Sequence, residues 1–163
     1  MARIFISHVR ADARLAAALQ RFLQQELETD DIFLSSNPWQ IYAGEDWLRR
    51  LTDELRSASV VVLMLSTNSL REPWVNFEAG GAWLAGKVVI PICFGGVSKE
   101  NLPKPYSNLQ ALNLRDDYIY LVTSLQHHLP MDLTSRRLAS TLPRSQLKLV
   151  ERFPRVIMRS SSP

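Results

Sequence analysis

Six consecutive apolar residues, Val60-Val61-Val62-Leu63-Met64-Leu65, constrain this chain more than any other feature. A half-exposed strand alternates apolar and polar side chains. A short run that is apolar at every position and rich in β-branched residues marks a strand covered on both faces. Ile4-Phe5-Ile6, Ile32-Phe33-Leu34 and Val88 to Phe94 repeat the pattern. Pro91 is an objection to the last, because proline is unwelcome in a central strand. Leu109 to Leu114 gives a fifth, edge strand.

Helical patterns separate these runs. Leu15, Leu19, Phe22 and Leu23 recur at helical spacing, as do Trp47, Leu48, Leu51 and Leu55. Glu45 and Asp46 stand at the positive start of the second pattern. Trp74 to Gly86 reads as a helix that is apolar almost all round, with Pro73 suited to its first turn. Asp116 to Leu129 reads as another, with Leu121, Leu125 and Leu129 on one face. This alternation predicts an α/β fold: a flavodoxin-like, doubly wound, five-stranded parallel sheet of order 2-1-3-4-5 with helices on both faces. Such sheets place their sites beyond the carboxyl ends of the strands, where the strand order switches. Here the switch falls between the first and third strands. The loops at that point are Ser7-His8-Val9-Arg10 and Ser66 to Pro73.

Charge divides the chain in two. Residues 1–129 carry 12 basic and 14 acidic side chains, a net of −2, whereas residues 130–163 carry 7 basic and 2 acidic, a net of +5. The body, 1–129, is read as one domain, and 130–163 as a basic, partly helical extension or linker. Helices are predicted there over 132–142 and 144–153. Nucleic acid is not indicated for the body, and the tail lacks the interleaved aromatics of a base-stacking surface. No run reaches the length of a membrane span, and the apolar run at the N-terminus is too short for a secretory signal. Cys93 is the single cysteine, so no internal disulfide framework exists. These features favour a cytoplasmic setting.

Glu78 is the residue that stands out. It is the one charged residue in Trp74-Val75-Asn76-Phe77-Glu78-Ala79-Gly80-Gly81-Ala82-Trp83-Leu84. A carboxylate on a buried helix is costly unless a partner or a cleft solvates it. Trp74 lies four residues earlier, on the same face. An indole beside a carboxylate suits a ligand with a flat ring and a cationic glycosidic centre. A structural ion pair, or a complement to the helix dipole, explains the same spacing. Gly80 and Gly81 each cost about 1 kcal/mol against alanine inside a helix, which predicts a close approach by a strand. No phosphate-binding glycine motif is present, His8, His127 and His128 form no zinc spacing with Cys93, and no serine-hydrolase elbow occurs. No metal or cofactor is expected. The 35–44 loop carries Trp39, Ile41 and Tyr42, which serve either as a partner surface or as side chains folded back on the body.

Taken in order, Phe5-Ile6-Ser7-His8, Gly44-Glu45-Asp46-Trp47, Val62-Leu63-Met64-Leu65-Ser66 with Ser69 and Pro73, and Trp74-Val75-Asn76-Phe77-Glu78-Ala79-Gly80 resemble TIR (Toll/interleukin-1 receptor) domains, in particular bacterial ones with a WxxxE segment. The resemblance spans roughly 2–129. It implies the fold already argued and an activity: cleavage of NAD, as substrate, at the nicotinamide–ribose bond by a glycohydrolase or ADP-ribose cyclase. Glu78 would be catalytic. Trp74, Ser7, His8 and Arg10 would bind substrate, with Ser66 and Asn68 at the rim. The 35–44 loop would pack on a neighbouring protomer. Bacterial members act in anti-phage defence, so the tail could join a sensor domain or subunit. Two other readings stand beside it: a non-enzymatic TIR interaction module, and a nucleoside deoxyribosyltransferase-like enzyme.

Overall fold

The structure, a computed structural model, describes residues 3–35 and 46–129, and of Trp47 the backbone alone. Trp39, Ile41 and Tyr42, the helices predicted in the tail, and the tail itself lie outside the described residues. Five strands, β1 (Ile4–Ser7), β2 (Ile32–Leu34), β3 (Val60–Leu65), β4 (Val88–Cys93) and β5 (Leu112–Asn113), form one sheet in the order β2-β1-β3-β4-β5. Every pairing is parallel. Among the described residues three α-helices lie between strands, α1 (Ala13–Leu27), α2 (Trp47–Ser57) and α3 (Pro73–Leu84), and a fourth, α4 (Tyr118–His128), follows β5. The predicted class and strand order are those observed. No described helix is long and apolar enough to cross a membrane.

The continuous apolar strands are explained by two cores, one on each face. Successive strand side chains point to opposite sides. Ile4, Ile6, Val60, Val62 and Met64 pack with Leu15, Leu19 and Leu23 of α1 and Leu121 and Leu125 of α4. Phe5, Val61, Leu63 and Leu65 pack with Leu51 and Leu55 of α2 and Val75, Ala79 and Ala82 of α3. Each strand therefore needs an apolar residue at both parities.

Pro91 sits in β4 without breaking it. The Cys93 carbonyl accepts from the Leu114 N–H on the β5 side, 3.0 Å away. Residues two apart point the same way, so the Pro91 nitrogen also faces the β5 side. There β4 and β5 pair only through Ile92 and Cys93. The missing N–H thus takes nothing from the β3–β4 ladder, in which Pro91 pairs with Leu63.

At the amino end of the sheet, Arg3 holds three elements together. Its Nε donates to Asp31 before β2 at 2.6 Å, and its guanidinium donates to Glu54 of α2. Arg50 adds a second contact to Glu54 at 2.9 Å. The site predicted from topology lies at the opposite end.

Three expectations need correction. The fifth strand is two residues long, not six, because Tyr106–Asn108 forms a 3-10 turn that the Leu109 N–H closes onto the Tyr106 carbonyl. Helix α3 stops at Leu84 rather than Gly86. Gly86 adopts φ +68 and the Lys87 N–H returns to the Ala82 carbonyl, a left-handed stop suited to glycine. No strand approaches Gly80 or Gly81. A methyl at Gly80 would meet nothing within 4 Å, and one at Gly81 would meet Leu55 Cδ2 at 3.5 Å, an ordinary contact. Gly80→Ala is accordingly expected to stabilise the chain by about 0.5–1 kcal/mol, raising the melting temperature by a few degrees in calorimetry.

Candidate functional site

Strand β1 ends in Ser7, which is fully buried. Its Oγ–H donates to Glu78 Oε2. Pro73 starts α3 after the β3 loop, and one turn separates Trp74 from Glu78. The Trp74 indole Nε1–H donates to Glu78 Oε1 at 2.8 Å. Glu78 itself is 0% exposed. Among the described residues no cation pairs with it. It lies in the second turn of α3, past the reach of the dipole at the helix start. Burial pushes its carboxyl up to about 7, while the Ser7 and Trp74 hydrogen bonds hold it down against that rise. The group is poised to change charge near neutrality.

Beside this pair opens a cavity of about 530 Å³ at the carboxyl ends of β1 and β3. Of the predicted residues, His8, Arg10, Asn68 and Trp74 line it; Ser7, Ser66 and Glu78 do not. Ser66 is spent elsewhere. Its Oγ donates to Asp12 Oδ2 at 2.7 Å and accepts from the N–H groups of Asn68 and Ser69. It ties the β3 loop to the start of α1. Burial raises the Asp12 carboxyl above its usual range, and the Ser66 bond opposes this.

His8 is buried at the cavity wall. Its Nδ1 lies 3.3 Å from the Ile6 carbonyl, and desolvation lowers its pKa, so the imidazole is neutral at pH 7. Ser35 Oγ accepts the His8 N–H at 3.1 Å and pins this loop. Arg71 and Glu72 also line the cavity and were not singled out from the sequence. Both belong to the Ser66–Pro73 loop that topology marked, so a count of its charged residues would have found them. The indole of Trp74 stacks on Phe77 with ring centroids 5.2 Å apart and planes 28° apart. Cys93 is a core thiol, pushed up to about 11 chiefly by burial. Among the described residues no three His, Cys, Asp or Glu side chains could hold a metal ion together.

The sequence matches the TIR-domain family over residues 4–126. The chain belongs to the TIR-domain family. No curated protein matches it. Among solved structures, a metazoan TIR-STING receptor from C. gigas in complex with 2′,3′-cGAMP is similar at TM-score 0.53 and 22% identity, over 75% of this chain and 38% of that one. This likeness supports the TIR fold. A 2-desoxiribosyltransferase from Leishmania mexicana aligns at TM-score 0.43 and 14% identity, over 55% of this chain and 63% of that one, too slight a likeness to carry an argument. The chain thus spans less than two thirds of the length of either structure.

The raised carboxyl of this TIR domain has a consequence for stability. Between about 4.5, its ordinary value, and about 7, the folded state binds a proton that the unfolded state has released. Stability therefore falls as pH rises through that window. Glu78→Gln removes the effect, since its amide can accept from Trp74 and donate to Ser7. The variant is expected to gain stability relative to wild type from pH 4.5 to 7, by on the order of 3 kcal/mol, and to hold a constant difference above. Urea unfolding across that pH range measures it.

Proposed function

We propose that this TIR domain cleaves NAD at the bond between nicotinamide and ribose, with Glu78 as the reacting carboxylate. One observation carries the reading: a carboxyl buried with no cation beside it among the described residues, held by Ser7 and Trp74, next to a cavity at the switch in strand order. Structural carboxylates in protein interiors are normally paired with a positive group. An unpaired one gains most when a cation arrives. The TIR family includes NAD-cleaving enzymes and also adaptors.

NAD brings such a cation in its pyridinium ring. Departure of nicotinamide takes the electron pair of the C1′–N bond and leaves positive charge on the ribosyl C1′ and ring oxygen. The Glu78 carboxylate stabilises that charge through the low-dielectric interior. Water then adds to C1′ and loses a proton, giving ADP-ribose. Where an adenine nitrogen adds instead, the product is a cyclic isomer. His8, as a neutral imidazole, and Asn68 would face ribose hydroxyls, and Arg10 would face the diphosphate. The Trp39, Ile41 and Tyr42 loop would mediate self-association. The basic tail would join a sensor whose signal triggers assembly in immune defence.

The interaction-module reading has one observation in its favour. Helix α3 leaves Phe77, Trp83 and Leu84 exposed, apolar side chains that a partner would cover. The two readings divide on one measurement, chromatography of NAD and its products after incubation at high protein concentration. Wild type is expected to consume NAD. Glu78→Gln is expected to lose at least ~100-fold of the rate while keeping its circular dichroism. The wild-type kcat/KM is expected to fall on the acid side with a midpoint near 7, as the carboxylate takes up its proton. Intact NAD in every sample would leave the interaction module.

A further inference from the structure

Two guanidinium groups share the cavity at the switch in strand order. Arg10 and Arg71 both line it, with Glu72 the only carboxylate in the described wall. Among the described residues neither arginine enters an ion pair, with Glu72 or with any other acid, whereas Arg3, Arg50 and Lys99 all do. Both side chains are exposed, so packing in the core does not explain their positions. Two like charges repel, and the fold gains nothing from gathering them around one hollow. An anion lying between them removes that repulsion.

The backbone brings the two arginines there by separate routes and then ties the routes together. Arg10 opens the 3-10 turn Arg10–Asp12 after β1, and Arg71 closes the 3-10 turn Ser69–Arg71 after β3. Strands β1 and β3 are adjacent and parallel, so both turns leave the same end of the sheet. The Asp12 N–H donates to the Val9 carbonyl at 2.9 Å, and the Arg71 N–H donates to the Asn68 carbonyl at 3.2 Å. Ser66 Oγ–H donates to Asp12 Oδ2 at 2.7 Å, which joins the first turn to the loop that carries the second. Ser69 Oγ accepts the Ser66 N–H at 2.7 Å and stiffens that loop. The arginine stems thus stand on one braced frame.

We propose that Arg71 and Arg10 form a clamp for a diphosphate, one guanidinium to each phosphate, and that the clamp makes the cavity selective for dinucleotides over mononucleotides. It rests on the reading of the cavity as an NAD site for its effect on turnover, though not for binding. A guanidinium presents paired N–H donors that match two phosphate oxygens. One such group serves one phosphate, and two on different turns serve two. Helix α3 adds to the field. Its first turn contributes Trp74 and Val75 to the cavity wall, and the Glu72 side chain does not cap its start. The positive end of that helix dipole therefore lies at the hollow. Glu72 leaves one negative charge in the wall, a match for a single cation such as a pyridinium. The wall then mirrors a ligand with two negative charges and one positive.

Binding of ADP and AMP to the full chain tests the clamp without reference to NAD cleavage. Both probes carry adenosine, and they differ by one phosphate. Affinities are measured by calorimetric titration at low salt, without divalent cations, for wild type, Arg71→Gln, Arg10→Gln and Arg21→Gln. Arg21 is exposed on α1 and is not part of the cavity wall. All three substituted side chains are exposed, and circular dichroism reports that the variants are folded. Wild type is expected to bind ADP at least ~10-fold more tightly than AMP. Arg71→Gln and Arg10→Gln each leave one guanidinium and are expected to bring the two probes within about threefold of each other. Arg21→Gln is expected to keep the wild-type preference.

Wild type that binds ADP no more tightly than AMP, failure to bind either included, overturns the clamp. An unchanged preference in folded Arg71→Gln overturns it too, as does an equal loss in Arg21→Gln. NAD turnover is followed in parallel. Arg71→Gln is expected to raise KM for NAD at least ~10-fold with kcat within about twofold of wild type. Loss of the ADP preference in Arg71→Gln, with NAD intact in every chain, would refute the proposed activity and leave the clamp standing. NAD loss with the ADP preference unchanged by Arg71→Gln would do the reverse.

Discussion

Among the described residues no cation meets the buried Glu78 carboxyl, so neutral donors must hold it, and the architecture around it follows from that need. One donor comes from the end of β1 and the other from the first turn of α3. Those elements meet only because the strand order switches between β1 and β3 and brings the following helix over the β1 end. The sheet topology and the hydrogen bonds are thus parts of one arrangement. The cost is a carboxyl with a raised proton affinity, which weakens the fold at neutral pH and above. Proteins keep such costs at sites of use.

The strands were legible because each had to satisfy two cores. A residue such as Val61 serves the α2–α3 side and its neighbour Val62 the α1–α4 side, so no polar residue could interrupt the run. The length of β5 was not legible, because the apolar residues of 109–114 serve a turn as well as a strand. Glu78 could be picked out by its isolation in an apolar helix. Its donors could be named, but their roles could not. Helical spacing puts Trp74 on the right face and says nothing about whether the indole covers the carboxyl or leaves it open. Ser66 looked like a rim residue by its place in the loop, yet its hydroxyl is committed to Asp12. Nothing in the loop sequence separates Arg71, which lines the cavity, from a charged residue that faces open solvent.

The two ends of the sheet divide stability from chemistry. At the amino end Arg3 joins β1 to the approach of β2 and to α2 through carboxylates that keep ordinary ion-pair partners. At the carboxyl end the buried carboxyl has none among the described residues. A loss at the Arg3 cluster loosens the frame, and a change at Glu78 alters charge at the cavity wall. The β3 loop stands between the two uses: Ser66 and Ser69 brace it internally, while Asn68 and Arg71 turn to the cavity.

Pro91 reaches beyond the register of its own strand. Among the described residues β4 has a strand partner on its β5 side only at Ile92 and Cys93, so the stretch from Val88 to Pro91 forms a sheet margin. Such margins invite pairing with strands of other molecules. Pro91 is itself buried, and its nitrogen lies on the β5 side, where it offers no hydrogen to a chain that would extend β5. A residue that looked like an obstacle to strand formation thus leaves the ladder with β3 whole and withholds one donor from the side that β5 does not reach.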